Sequence, residues 1–145
     1  MDFHTALKVA LIEKYRTFSG RARRAEYWWF MVFASMCYIT AVLLSALIHP
    51  AVGVLVVLAP LTPLMAVTTR RLHDLDCRGW WQILVYGVTG AAVFFTRPVA
   101  LLAQFACLVP LFIVFSIRGS KGANRFGEDP LAQPAGPAAT PDAES

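Results

Sequence analysis

A chain of 145 residues has the length of one soluble domain, but 57% apolar and only 15% charged residues exclude that class, in which roughly 25% charged is usual. The net charge of +4 is no nucleic-acid signal, because no reading motif accompanies it. Asp, Glu, Lys and Arg are missing from Tyr27 to Thr69, from Gly79 to Thr96 and from Pro98 to Ile117, and apolar runs of that length require a lipid solvent.

The chain begins with a patterned segment, residues 1–19. Phe3, Leu7, Ala10, Leu11 and Tyr15 recur at helical spacing, while Lys8, Glu13 and Lys14 fall elsewhere on the wheel. This predicts an amphipathic helix lying in the membrane interface, or alternatively one packed on the protein. Ser19 is the expected N-cap of the next helix.

The transmembrane domain is expected over residues 20–130. Its first span, about Trp28 to Ile48, would be about 32 Å long at 1.5 Å per residue, enough for a hydrocarbon core of ~30 Å. His49-Pro50 ends it. The second span, Ala51 to Thr69, contains Pro60 and Pro63, which should kink it and free carbonyls near Val56 and Ala59 for Thr62 or a neighbouring helix to satisfy. The third, Trp80 to Phe95, is about 24 Å long, so it needs a thinned bilayer or interfacial tryptophans, and a re-entrant hairpin of the third and fourth segments competes with it. Pro98 opens the fourth, which ends near Ile117. From residue 131 the chain is Pro, Ala, Gly and acidic residues without periodicity, the composition of a disordered tail.

Charge then sets orientation. Twelve of the thirteen basic residues fall on one side of a four-span arrangement, Arg97 being the other. That side, with both termini, is expected in the cytoplasm by the positive-inside rule. The fold class is therefore an all-α polytopic membrane protein with four transmembrane helices. Cys37, Cys77 and Cys107 form no CxxC or Cys/His cluster, so neither a disulfide framework nor a metal site is expected.

Three charged blocks share the basic side. The first is Gly20-Arg21-Ala22-Arg23-Arg24-Ala25-Glu26-Tyr27-Trp28. The second runs Arg70-Arg71-Leu72-His73-Asp74 and on through Cys77-Arg78 to Gly79-Trp80-Trp81. The third includes Asn124-Arg125-Phe126-Gly127. In order and spacing they resemble the bacterial inner-membrane family of unknown function numbered 805, the YhaH/YhaI type, over about Phe18 to Pro130. The chain departs from that pattern in two places: at Cys77-Arg78, where a small polar residue is more usual, and at Glu128, where proline is frequent. The resemblance implies an integral inner-membrane protein and no particular reaction.

Arg21, Arg23 and Arg24 before two tryptophans read as an interfacial anchor, or as a headgroup or partner site in which Glu26 directs Arg23 at i,i+3. If the second helix continues past Arg70, then Arg70, Asp74 and Arg78 share a face at i, i+4 and i+8, and Arg71 reaches Asp74 at i,i+3. A carboxylate among guanidinium groups stays ionised and holds their forks, which is a structural clasp. His73 beside Asp74 and Asp76 offers an acid/base or metal-ligating alternative, although neighbours on a helix point about 100° apart and one loop rarely closes a site alone. Gly119, Gly122, Asn124 and Gly127 suit a turn that docks on residues 73–78 or presents N–H groups to an anion.

The expected function is a non-enzymatic membrane protein, without cofactor or nucleic-acid partner. Its basic face would bind anionic lipid headgroups or a membrane or cytoplasmic protein through Arg21, Arg24, Glu26, Arg70, Arg71, His73, Asp74, Arg78, Asn124 and Arg125. The alternative is a membrane-embedded enzyme acting on a phosphate-bearing lipid, with His73 and Asp74 moving the proton. A transporter is disfavoured, because the spans carry no ionisable group other than His49 at an end.

Overall fold

The computed structural model describes residues 1–83, 86, 87 and 97–132. Among them the chain is helical and has no strand, only an isolated bridge between Asn124 and Gly127. Most of the expected third span, and the tail beyond residue 132, lie outside the described residues, and so does the choice between two spans and a re-entrant hairpin.

The N-terminal helix α1 (Phe3–Lys8) runs into a π-helical turn, Val9–Glu13. It is packed on protein. Ala6 and Ala10 are fully buried, and Phe3 meets Trp29 edge to face at 5.7 Å.

Helix α2 (Arg24–Leu47) begins with Arg23 at the N-cap position and no capping side chain, so the expectation for Ser19 is corrected. The chain turns instead at Gly20, whose φ of +83° suits a residue without Cβ. Glu26 stands in the first turn, where an acid complements the helix dipole. At ~1.5 Å per residue α2 is about 36 Å long. Only two helices among the described residues are long and apolar enough to cross a membrane, Arg24–Leu47 and Pro50–Asp74.

The second of these is in two parts, α3 (Pro50–Leu58) and α4 (Leu61–Asp74). The His49 ring nitrogen Nδ1 accepts the Ala51 N–H at 3.2 Å, and Pro50 supplies the fixed φ of a first helical residue. Helix α3 returns tightly against α2. A Cβ on Gly53 would stand 1.8 Å from Ser45 Oγ and 2.5 Å from the Ala41 carbonyl, so this crossing needs the smallest residue, as helix pairs in lipid often do. The break at Ala59-Pro60 follows the two prolines. Pro63 has no N–H to offer the Ala59 carbonyl, and that carbonyl accepts the Tyr15 hydroxyl at 3.3 Å. The N-terminal segment thus supplies the partner.

The antiparallel hairpin of α2 with α3 and α4 sets Tyr27 and Phe30 beside Val67 and Leu72 in one apolar cluster with Ala10, Ala22 and Phe115. Phe115 belongs to α5 (Arg97–Ser116), whose end packs against the start of α2: Tyr27 meets Phe115 at 4.6 Å and Trp28 meets Phe112 at 4.7 Å. Away from this cluster, Met36, Ile39, Leu43, Leu47 and Leu55 are exposed. A continuous apolar wall of that kind suits lipid and not water.

Candidate functional site: a guanidinium clasp at the helix ends

Helices α4 and α5 finish close to the start of α2, and a helix end leaves carbonyls without intrahelical donors. The three charged blocks satisfy them reciprocally. At the end of α4, the Arg70 carbonyl accepts the Ala22 N–H at 3.0 Å and the His73 carbonyl accepts Asn124 Nδ2 at 2.9 Å. The Asp74 carbonyl accepts both the Ser120 N–H at 2.8 Å and its hydroxyl at 3.1 Å. At the end of α5, the Phe115 and Ile117 carbonyls accept from Arg71, and the Ser116 carbonyl accepts Arg24 Nη1 at 3.2 Å. Cations at helix C-termini also complement the helix dipoles.

Asp74 is the hub. Its Oδ1 accepts Arg21 Nε at 2.9 Å and lies 2.8 Å from Arg21 Nη2. Its Oδ2 accepts Arg71 Nη1. Arg21 continues into the third block, donating to the Gly122 carbonyl at 2.6 Å and the Ser120 carbonyl at 2.5 Å. Gly119 makes this closeness feasible, since a Cβ there would fall 1.9 Å from Asp74 Oδ2.

The i,i+3 pairing of Arg71 with Asp74 is present. The face shared by Arg70, Asp74 and Arg78 is not, because α4 stops at Asp74 and Asp76 takes a φ of +58°. Arg70 points to Glu26 of α2 and bonds it through Nη1. Glu26 is therefore the partner of Arg70, not of Arg23. Arg78 is exposed and has no charged partner among the described residues.

His73 turns away from Asp74. Its Nδ1–H donates to the Gly20 carbonyl at 3.1 Å, and its ring lies parallel to Phe126 with centroids 3.9 Å apart. Histidine and aspartate thus have separate partners, and both oxygens of the carboxylate are held by guanidinium groups. Arg125 pairs with Asp76 at 3.0 Å on the surface and lies over the Phe126 ring. Asp129 accepts the Leu131 and Gly122 N–H groups, and these bonds, the first foremost, hold its carboxyl below the ordinary range. No group of three or more His, Cys, Asp or Glu side chains is placed to hold a metal among the described residues.

Several members of the clasp are not marked in the sequence. Ser120 and the carbonyls of residues 115–117 have no charge, and the only signal for them is their place at or just after the end of an apolar run. Gln82, whose Nε2 donates to Thr69 Oγ1 at 2.7 Å, falls within the expected third span and has no motif around it.

Around the clasp stands a second set of cations. Arg23, Arg78, Arg118 and Lys121 are exposed and have no hydrogen-bond or ion-pair partner among the described residues. Each adjoins or nearly adjoins a clasp member in sequence, so they rim the same end of the bundle. Trp29, Trp80 and Trp81 are exposed nearby in sequence, the last two stacked at 4.7 Å.

The sequence that builds this arrangement is similar to those of known proteins. The chain is 34% identical over 125 residues to the inner membrane protein YhaI of Escherichia coli strain K12, covering 84% of this chain and 92% of that protein. It is 33% identical over 146 residues to the inner membrane protein YhaH of the same strain, covering 92% and 100%. No solved structure matches. With residues 15–128 matched to the family's pattern, and all three charged blocks within them, the chain belongs to the family described as a protein of unknown function, DUF805.

Proposed function

We propose that this chain is a non-enzymatic inner-membrane protein of four spans, with both termini and the loop after α4 in the cytoplasm, that holds anionic lipid headgroups at its cytoplasmic end. The observation that carries this reading is the division of the basic residues. Arg21 and Arg71 are engaged by internal carboxylate and carbonyl oxygens and Arg70 pairs with Glu26, whereas the side chains of Arg23, Arg78, Arg118 and Lys121 are exposed and have no partner among the described residues. Unpaired cations at headgroup depth contribute on the order of 1 kcal/mol each toward anionic lipid, and tryptophan prefers that depth. The names of the two relatives place those proteins in the inner membrane, and the charge bias supplies the orientation.

The test is lipid co-purification from native membranes with Arg23, Arg78, Arg118 and Lys121 changed together to Gln. Enrichment of phosphatidylglycerol and cardiolipin should fall, and its salt sensitivity with it. Unchanged enrichment in a correctly oriented variant contradicts the reading. Loss of a co-purifying protein in place of a lipid moves the site to a protein partner.

A further inference from the structure

The clasp is not electrically closed. Among the described residues its buried charged side chains are Arg21, Arg70 and Arg71 against Glu26 and Asp74, three guanidinium groups to two carboxylates, an excess of one positive charge. Buried charge of either sign is stable only when it is paired. The excess lies at Asp74, where two guanidinium groups share one carboxylate, one helical turn from Arg70, which Glu26 pairs one to one. Arg21 and Arg71 have their charge on Asp74 and their remaining donors on carbonyls. Arg70, at 0% exposure, reaches Glu26 with Nη1 alone, and its Nε and Nη2 are buried without a hydrogen-bond partner among the described residues.

Those two nitrogens are a matched pair. In a planar guanidinium the Nε–H and one Nη2–H point in parallel along the same edge, the geometry that takes two oxygens of one carboxylate or phosphate. A buried polar group left unmade costs about 1–3 kcal/mol, and more when it is charged, so two of them on one edge mark a place for a ligand. Gln82 Oε1 is a third buried atom without a partner among the described residues. It belongs to the side chain bonded to Thr69, the residue before Arg70.

We infer that the Nε/Nη2 edge of Arg70 is a binding site for one singly charged phosphodiester, that of a membrane phospholipid. A phosphodiester has two equivalent non-bridging oxygens, which match the fork, and one negative charge, which would offset the excess that Arg21 and Arg71 leave at Asp74 one turn away. Arg70 begins the last turn of α4, and Gly79, the residue before Trp80 and Trp81, lies against Thr69, the neighbour of Arg70. The edge is closed to solvent, so a lipid held there should exchange slowly. This rests on the headgroup reading above and narrows it from a diffuse basic rim to one retained lipid.

The experiment is native mass spectrometry of the full chain, purified from inner membranes in mild detergent and washed to remove loose lipid. Wild type should retain one phospholipid per protomer. Arg70→Lys keeps the charge toward Glu26 and loses the parallel donors, and its retention should fall at least tenfold. A rim variant with Arg23, Arg78 and Lys121 changed to Gln should retain the lipid, which separates this site from the surface association proposed above. Wild-type retention in Arg70→Lys, loss in the rim variant, a fatty acid in place of the phospholipid, or no bound lipid at all would each overturn the site. Competition by inorganic phosphate that displaces the lipid at millimolar concentration would make the free anion the ligand and overturn the lipid assignment. Should Arg70→Lys fail to accumulate, wild type and the rim variant still decide, since both must retain one lipid.

Discussion

Glu26 and Arg70, 44 positions apart, are bonded inside the protein, at 3% and 0% exposure. The contact ties α2 to α4 at their shared end, as Gly53 against Ser45 ties α2 to α3 at the other end of the hairpin. Removing one member of a buried pair costs about 3–5 kcal/mol, whereas replacing both with apolar residues is often neutral. Glu26→Gln should therefore melt far below wild type in detergent, and Glu26→Leu with Arg70→Met should recover most of the loss. Simple addition of the two single effects would show that the pair does not couple the helices.

The third block docks through a backbone approach that has no room for a side chain. Gly119→Ala would drive a methyl into the Asp74 carboxylate and should destabilise the protein markedly, because Asp74 cannot retreat without releasing Arg21 or Arg71. Gly122→Ala meets no atom within 4 Å, but its φ is +75°, for which roughly 1–2 kcal/mol is typical. Melting temperatures should rank wild type, then Gly122→Ala, then Gly119→Ala. The reverse order would mean that the approach to Asp74 is not tight.

Much of this architecture is legible in the sequence, and the reason is local. The charge-free stretch from Tyr27 to Thr69 marks the first hairpin, and His49-Pro50 marks its turn. Pro60 and Pro63 mark the break between α3 and α4. The i,i+3 spacing pairs Arg71 with Asp74. The illegible part depends on register between distant segments: which carboxylate Arg70 meets is decided by how α2 lies against α4. The end of α4 also differs from the expectation. Leu75 and Asp76 leave the helix because Cys77 N–H turns back to the Leu72 carbonyl at 2.9 Å, and that removes Arg78 from the face of Asp74.

Tyr15 tests the broken helix. Its hydroxyl takes the carbonyl that Pro63 strands, so Tyr15→Phe should cost about 0.5–1.5 kcal/mol, and Pro63→Ala, which restores the helical N–H, should make the same change nearly silent. An equal loss in both backgrounds would mean that the bond contributes nothing specific.

Orientation is open to direct measurement. Reporters active only in the periplasm should give signal when fused near Pro50 or Arg97 and none after Asp76 or Pro130. Signal at Pro130 would replace four spans with an odd number.

The central claim is that the three basic blocks close into one unit around Asp74, and the comparison of Asp74→Asn with Asp76→Asn tests it most directly. Asp74 is buried between Arg21 and Arg71, so its neutralisation strands charge inside the protein and should cost about 3–5 kcal/mol. Asp76 meets Arg125 with both side chains about half exposed, 52% and 51%, and such pairs contribute about 0–1 kcal/mol. Measured as melting temperature and steady-state level in the membrane, Asp74→Asn should fall well below wild type while Asp76→Asn stays close to it. Wild-type behaviour of both would contradict the clasp and reduce the second block to a solvated run of charge.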